Sequence, residues 1–106
     1  MAPGDIEFKH VTWSGSADTT ILAAVSGKKI AVHGYVLVCD TADGTYEFED
    51  GLSGTGLSGL IQTKIDEPVV VPFSPVAWFT GSASTLLNLV NSAGTVVGHL
   101  IYAEVG

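Results

Sequence analysis

The hydrophobic pattern of residues 95–106 predicts a β-strand with two apolar faces. The segment reads Thr-Val-Val-Gly-His-Leu-Ile-Tyr-Ala-Glu-Val-Gly, and β-branched and aromatic residues of this kind favour strands. Side chains alternate between the two faces of a strand. One face carries Val97, His99, Ile101, Ala103 and Val105, and the other carries Val96, Gly98, Leu100, Tyr102 and Glu104. A half-solvated strand has one polar face, so we expect a further surface, such as a copy of the chain, to cover this one.

Short β-rich runs separated by glycines fill the rest of the chain, and no segment predicts a helix. Such spacing is typical of an all-β sandwich or barrel. The predicted strands lie near residues 8–13, 19–25, 29–39, 46–50, 58–65, 69–73, 77–80, 86–91 and 96–105. We expect some of the short predicted strands to join a neighbouring strand or not to form, which leaves about eight strands. We predict a flexible N-terminal arm over residues 1–8 and a single antiparallel sandwich domain over residues 9–106.

Three predicted strands show the alternation that assigns side chains to faces. Tyr46 and Phe48 are expected on one face, with two glutamates opposite. Leu87 and Leu89 are expected to point inward, with Asn88 between them. In the long run 29–39, one predicted face carries Ile30, Val32, Val36 and Val38, and the other carries Ala31, His33, Tyr35, Leu37 and Cys39. Gly34 predicts a bulge or a close backbone approach in that run.

The amino-acid composition favours some classes of function and argues against others. The 106 residues include only 14% charged residues, against about 25% in ordinary domains, which favours extra surface hidden in contacts between chains. The net charge is −7, with no arginine, and this argues against binding to DNA or RNA. The single cysteine, Cys39, excludes an intrachain disulfide. No apolar run is long enough for a membrane helix, and the N-terminus shows no signal-peptide pattern, so we expect synthesis in a cytosol.

Several motifs resemble functional sites but lack the required context. Gly54-Thr-Gly-Leu-Ser-Gly59 matches the dinucleotide-binding pattern, yet a strand rather than a helix is predicted after it. Three serines lie beside glycines without a nucleophile-elbow motif, namely Ser53, Ser58 and Ser82. The sequence therefore predicts a protein that is not an enzyme and uses no cofactor.

Metal sites and sugar-binding sites are also weakly indicated. The three histidines, His10, His33 and His99, lack the spacing of zinc ligands. An acidic group that surrounds one turn could attract calcium but lacks the EF-hand spacing, and it consists of Asp40, Asp43, Glu47, Glu49 and Asp50. The large aromatics Trp13, Trp78 and Phe79 could stack on sugars when exposed, although the core or an interface is the more common place for them.

Three segments resemble a family of small virion proteins of tailed bacteriophages. The first is the run from Ile21 to Ile30 followed by Gly34-Tyr-Val-Leu37; the second is Val71-Pro-Phe-Ser-Pro75 with Trp78–Phe79. The third is Leu87-Asn-Leu89 with the closing Gly98-His-Leu-Ile-Tyr-Ala-Glu-Val105. The resemblance covers residues 18–106. The chain departs from it in a long glycine loop and an acidic strand at 46–50.

The resemblance implies a jelly-roll-like sandwich that trimerises and decorates a capsid or another part of the virion. We therefore predict a homotrimeric capsid decoration protein on the outer surface of the phage head, where it stabilises the shell. The partners would be copies of itself and the major capsid protein, without nucleic acid or membrane. The predicted trimer interface consists of His33, Tyr35, His99, Ile101 and Tyr102, and the predicted capsid contacts are Ile6 and Phe8. A tail, fibre or neck module that recognises host carbohydrate is the alternative.

Overall fold

The computed structural model describes residues 7–106, and all of its strands join one antiparallel sheet. The eight strands are β1 (Lys9–Leu22), β2 (Lys29–Asp40), β3 (Gly44–Asp50), β4 (Thr55–Gly56), β5 (Ile61–Thr63), β6 (Val69–Val71), β7 (Phe79–Thr80) and β8 (Leu87–Val105). No helix occurs among the described residues. The all-β class, the antiparallel pairing and the number of strands are confirmed.

Three long ribbons of chain form the framework of the sheet. β1 runs along one side of β8 for nearly the whole length of both strands. β2 and then β3 run along the other side, where β2 pairs with residues 95–105 and β3 pairs with residues 87–91. The separately predicted strands 8–13 and 19–25 are therefore parts of β1, and 86–91 and 96–105 are parts of β8. Each of these two long strands contains a backbone irregularity, and there the hydrophobic pattern predicted a break between two separate strands.

All three ribbons carry a left-handed residue at the same level. The φ angles are 64° at Ala17 in β1, 79° at Thr41 between β2 and β3, and 69° at Gly94 in β8. We call this line the crease. Left-handed geometry is unfavourable for alanine and for a β-branched residue, so these ribbons depart from regular extended structure where the sheet changes direction.

The crease divides the sheet into two halves that face each other. The long half comprises residues 9–16, 29–40 and 95–105, extended by β6 and β7, which pair with β2. The short half comprises residues 18–22, 44–50 and 87–91, extended by β4 and β5, which pair with β3. This arrangement is consistent with a jelly-roll-like sandwich.

Aromatic side chains from the two halves meet in the core. The ring of Phe48 in the short half lies 4.9 Å from the ring of Tyr35 and 6.3 Å from that of Trp13, both in the long half. The hydroxyls of Tyr35 and Tyr46 are hydrogen-bonded at 2.9 Å across the same space. Burial raises the pKa of both tyrosines above the ordinary value, and the shift is larger for Tyr46. Contacts between side chains of the two halves therefore hold the sandwich together.

A bulge in β2 changes the predicted faces. The register with β8 shifts between Val32 and Gly34, and a Cβ on Gly34 would lie 3.0 Å from the Cα of Phe73, so the predicted bulge and close approach are both confirmed. The bulge reverses the alternation, however. Tyr35 points into the core while Val36 lies only partly buried on the other side. The prediction that Val32 and Val36 share one face is wrong.

The Leu-Asn-Leu pattern at the start of β8 is confirmed for the leucines. Leu87 and Leu89 are 2% and 1% exposed. Asn88 is also fully buried, although it lies on the opposite side of the strand. Its Nδ2 donates to Oδ1 of Asp18 on β1 at 2.5 Å, and this hydrogen bond compensates part of the cost of burying the amide.

Candidate interaction surface

The long half has an apolar outer surface. β8 lies between β1 and β2, and the rows of strand partners place His99 beside Thr12 and Val36, and Val97 beside Ser14 and Val38. We call Val36, Val38, Val97, His99 and Ile101 the outer apolar face. Val97 is 39% exposed, His99 is exposed, and the other three are partly buried. An antiparallel sheet that packs its inner side on a core usually has a polar outer side, so this face is unusual.

Two shallow grooves run over this face and meet at His99. The larger groove has a volume of about 790 Å³ and is lined mainly by β1, β2 and β8, with Asp66 and Pro68 at its rim. The smaller has a volume of about 370 Å³ and is lined by Phe8, Lys9, His10, His99 and Ile101. Apart from His99, Asp66 is the only residue with an acidic or basic side chain among those that line the larger groove. Together the grooves form an apolar strip that a protein surface can cover.

The structure places the five predicted interface residues in different surroundings. His99 and Ile101 lie on the outer apolar face. Tyr102 is partly buried and packs against the core. Tyr35 lies in the core and is 5% exposed. His33 is 2% exposed, and its Nδ1 donates to the carbonyl oxygen of Ser74 at 2.8 Å. Their contact with another copy stays a prediction, and only His99 and Ile101 offer surface on the outer apolar face.

Phe8, a predicted capsid contact, packs on its own chain. Its ring lies 4.9 Å from the ring of His33 and 5.0 Å from that of Phe73, both in edge-to-face geometry. Phe8 nevertheless remains 42% exposed. Ile6, the other predicted contact, and most of the predicted arm lie outside the described residues. Lys9 follows directly and is paired with Glu104 at 3.1 Å, and this hydrogen-bonded carboxylate raises the pKa of the lysine.

A second exposed apolar group lies on the segment between β6 and β7. Phe73, Val76 and Trp78 are 49%, 76% and 53% exposed. The indole of Trp78 is held in place because its Nε1 donates to the carbonyl oxygen of Pro72 at 2.9 Å. Of the three large aromatics considered from the sequence, Trp13 and Phe79 pack in or against the core, and Trp78 alone is exposed.

Four of the residues that resembled catalytic or calcium-binding groups make local structural hydrogen bonds. Asp50 accepts hydrogen bonds from the backbone N–H and the hydroxyl of Ser82. Asp43 accepts one from the backbone N–H of Ile65. Ser58 accepts from the N–H of Phe48 and donates to Gly59. These contacts hold the connections of the short half together.

The glycine run and the histidines lack the surroundings that a cofactor or metal requires. Residues 55–56 form β4, and a strand rather than a helix follows the run at 61–63. Within residues 7–106, no three side chains from histidine, cysteine, aspartate and glutamate lie close enough together to hold a metal ion. The same part of the chain contains no helix that is long and apolar enough to cross a membrane.

Comparisons with known proteins show similarity of fold. No protein-family model and no curated protein matches the chain. A chain of the Bacillus endospore appendages, which form a novel family of disulfide-linked pili, superimposes with a TM-score of 0.51 at 19% identity. That match covers 98% of this chain and 91% of the pilus chain. A chain of the virus-like particle of the giant freshwater prawn (Macrobrachium rosenbergii) extra small virus gives a TM-score of 0.43 at 14% identity, over 100% of this chain and 82% of that one.

The contribution of β2 to the outer apolar face is not evident from the sequence. Val36 and Val38 alternate with buried residues, and a strand without a bulge would place them on the same face as Ile30 and Val32. The signal that could have revealed them is Gly34, because a bulge there reverses every later side chain in the strand. The sequence predicts Val97 on a second apolar face of β8, but it does not predict which residues of β1 and β2 lie beside it.

Proposed function

We propose that this protein is a non-catalytic structural subunit that self-associates through the outer apolar face and decorates a virus capsid. The observation that carries the proposal is the position of Val36, Val38 and Val97 on the outside of a sheet whose other side is already packed. Exposed apolar patches of this kind are characteristic of protein interfaces. The finer proposal is a homotrimer on the outer surface of a tailed-phage head, as the family resemblance implies.

The charge distribution supports association through this face. The chain carries a net charge of −7, so copies repel each other wherever carboxylates approach. The outer apolar face contains no carboxylate, and Asp66 lies at its rim. Copies can therefore meet here at low electrostatic cost, while the acidic remainder of the surface stays in solvent.

The fold of the Bacillus pilus chain is compatible with a role in assembly, but the means of linkage would differ. Those pili are disulfide-linked. This chain has one cysteine, Cys39, which is 2% exposed, and linkage of subunits in series by disulfides requires two cysteines per subunit. We therefore propose that copies of this protein associate without covalent bonds.

Light scattering and a matched pair of variants test the association. In dilute solution, we expect the purified protein to have three times the monomer mass of 10.9 kDa. Val97→Lys places a charge in the centre of the face and should abolish the trimer while the chain stays folded. Glu47→Lys makes a charge change on the outer side of the short half and should leave the trimer intact. A wild-type monomer, or a trimer that survives Val97→Lys, contradicts the proposal.

Addition to undecorated heads tests the capsid role. The wild-type protein should bind heads that lack it and raise their resistance to heat. Removal of residues 1–6, with Phe8 retained because it packs on His33, tests the predicted arm and should abolish binding while the trimer persists. Full occupancy by the truncated protein, or detection of the protein only in tails, excludes this part of the proposal.

The exposed Trp78 favours carbohydrate recognition as a second candidate function. Its indole is held by the hydrogen bond to Pro72, and an oriented exposed aromatic ring can stack on a sugar. Under this alternative, Trp78→Ala abolishes binding to host-surface glycans and leaves self-association unchanged. If wild-type protein binds no glycan of the host surface, the alternative fails.

A further inference from the structure

A long backbone edge of the sheet has no partner among the described residues. β1 spans 14 residues and pairs only with β8. β2, by contrast, is bordered on its free side by β6, β7 and the backbone N–H groups of Ser74, Trp78 and Gly81. An open edge presents unpaired N–H and C=O groups that can pair with a strand from another molecule.

The part of β1 before the crease lacks the features that usually protect an edge. Natural proteins block edge pairing with charged residues, prolines, bulges or very short strands. The eight residues His10–Ala17 contain no lysine, arginine, aspartate, glutamate or proline. Lys9 stands at one end of this stretch and is paired with Glu104, and the left-handed Ala17 ends it at the crease. The unprotected edge therefore coincides with the straight segment that lies beside the outer apolar face.

We propose that this edge pairs antiparallel with the same edge of a second copy, across a two-fold axis near Trp13. When β1 pairs antiparallel with its own copy, the open β1 edges of both molecules are used at once. The contact is therefore closed, because no third copy can add to this edge. The absence of charge along residues 10–17 matters here, because two chains of net charge −7 can bring their backbones together only where carboxylates are absent.

The alternation of side chains fits this pairing. His10, Thr12, Ser14 and Ser16 are exposed on the outer side of β1, whereas Val11, Trp13 and Gly15 are partly or fully buried on the inner side. A two-fold axis at Thr12, Trp13 or Ser14 places outer residues opposite outer residues. Hydroxyls then face hydroxyls across the contact, and such cross-strand Thr and Ser pairs can form hydrogen bonds. The half-buried Val11 gains cover from the copy.

Cysteine cross-linking tests the contact and its register. In a Thr12→Cys/Ser14→Cys variant, each of the three axis positions brings two thiols directly opposite each other, at a Cα separation that a disulfide spans. We expect mild oxidation to convert most of the protein to a covalent dimer of twice 10.9 kDa. The wild-type protein, in which Cys39 is buried, and a Thr20→Cys variant beyond the crease should stay uncross-linked.

Hydrogen exchange of the wild-type protein gives a second measurement that needs no substitution. The β1 amides that point away from β8 should exchange about tenfold more slowly in concentrated than in dilute protein. If these amides exchange at the same rate at all concentrations, or if the double-cysteine variant does not cross-link, the edge contact is overturned. It does not rest on the proposed function, because loss of the trimer in Val97→Lys tests the face and cross-linking through β1 tests the edge.

Discussion

The two halves of the sheet are built from the same three ribbons but have opposite outer surfaces. The outer side of the long half carries Val36, Val38 and Val97. The outer side of the short half carries the polar side chains of Asp18, Thr20, Glu47 and Glu49, together with the partly buried Val90 and the buried Asn88. Both halves contribute similar apolar side chains to the shared core. Stability therefore depends on the inner sides, and the outer sides are free to differ in what they contact.

The difference gives the two halves different electrostatic properties. Carboxylates on the short half repel other acidic molecules, including copies of this chain. The long half lacks them over its outer centre, which is where the proposed contact between chains would lie. Five predictions, ordered from the largest expected effect to the smallest, test whether the halves depend on each other as described.

Phe48→Ala tests whether the two halves fold as one unit. Phe48 is fully buried, and its ring contacts those of Trp13, Tyr35, Tyr46 and Phe79. Loss of a buried phenylalanine costs about 3–5 kcal/mol, a large part of the about 5–15 kcal/mol that stabilises a typical domain. We expect a single, strongly lowered melting transition. Two separate transitions would show that the halves unfold independently.

Gly94→Ala tests the crease. A left-handed conformation costs a non-glycine residue about 1–2 kcal/mol, and a Cβ on Gly94 would also lie 2.5 Å from the carbonyl oxygen of Asp40. Gly27 is a matched control, because it has a similar φ of 74° with no atom within 4 Å of its Cβ position. We expect Gly94→Ala to lower the free energy of unfolding clearly more than Gly27→Ala does. Equal losses would mean that the crease has room to adjust.

The Tyr35–Tyr46 hydrogen bond tests the contact between the halves by a double-mutant cycle. Either single change to phenylalanine leaves a buried hydroxyl without its partner and should cost about 1–3 kcal/mol. The double change removes both hydroxyls and should cost less than the sum of the single changes. Additive losses, measured by denaturant unfolding, would show that the two hydroxyls do not interact.

The same pair makes a prediction about pH. The pKa values of Tyr35 and Tyr46 are raised in the folded protein, so the unfolded chain loses these protons first as the pH rises. The stabilisation is fully present below pH about 10, the ordinary tyrosine pKa, and declines above it. The melting temperature should fall less steeply above that pH in the double phenylalanine variant than in the wild type.

Lys9→Ala should have the smallest effect. The Lys9–Glu104 pair lies at the solvent-exposed end of the long half, where water and salt screen such contacts. We expect no measurable change in melting temperature at physiological salt. A marked decrease would indicate that Lys9 contributes to the structure beyond its visible ion pair.

The sequence was sufficient for the class of fold and for much of the core. The alternation of Tyr46 and Phe48 with glutamates, and that of Leu87 and Leu89 around Asn88, identified inward positions correctly, because strand periodicity depends only on local geometry. The single strands that cross the crease were not predictable. Ala17 and Thr41 are not residues that ordinarily mark a left-handed position, and such a conformation persists only where the surrounding structure maintains it.

The candidate surface was predictable only in part, for the same reason. His99 and Ile101 follow from the β8 pattern alone. Assigning Tyr35 to the same surface failed because one extra residue at the β2 bulge turns the following side chains to the other face. Burial of Asn88 could not be read from the sequence either, since its partner Asp18 lies on a strand distant in the chain.

The central position of β8 also has a consequence for how the protein is made. β1 has no strand partner but β8 in the described chain, and β2 and β3 both pair with β8 as well. During translation, β1, β2 and β3 leave the ribosome before the strand that joins them exists. Pairing between segments so distant in the chain is slow, and unpaired strands are prone to aggregate in the interval. The shorter pairs of β2 with β6 and β7, and of β3 with β4 and β5, can form earlier, but the three long strands are joined only after β8 has been synthesised.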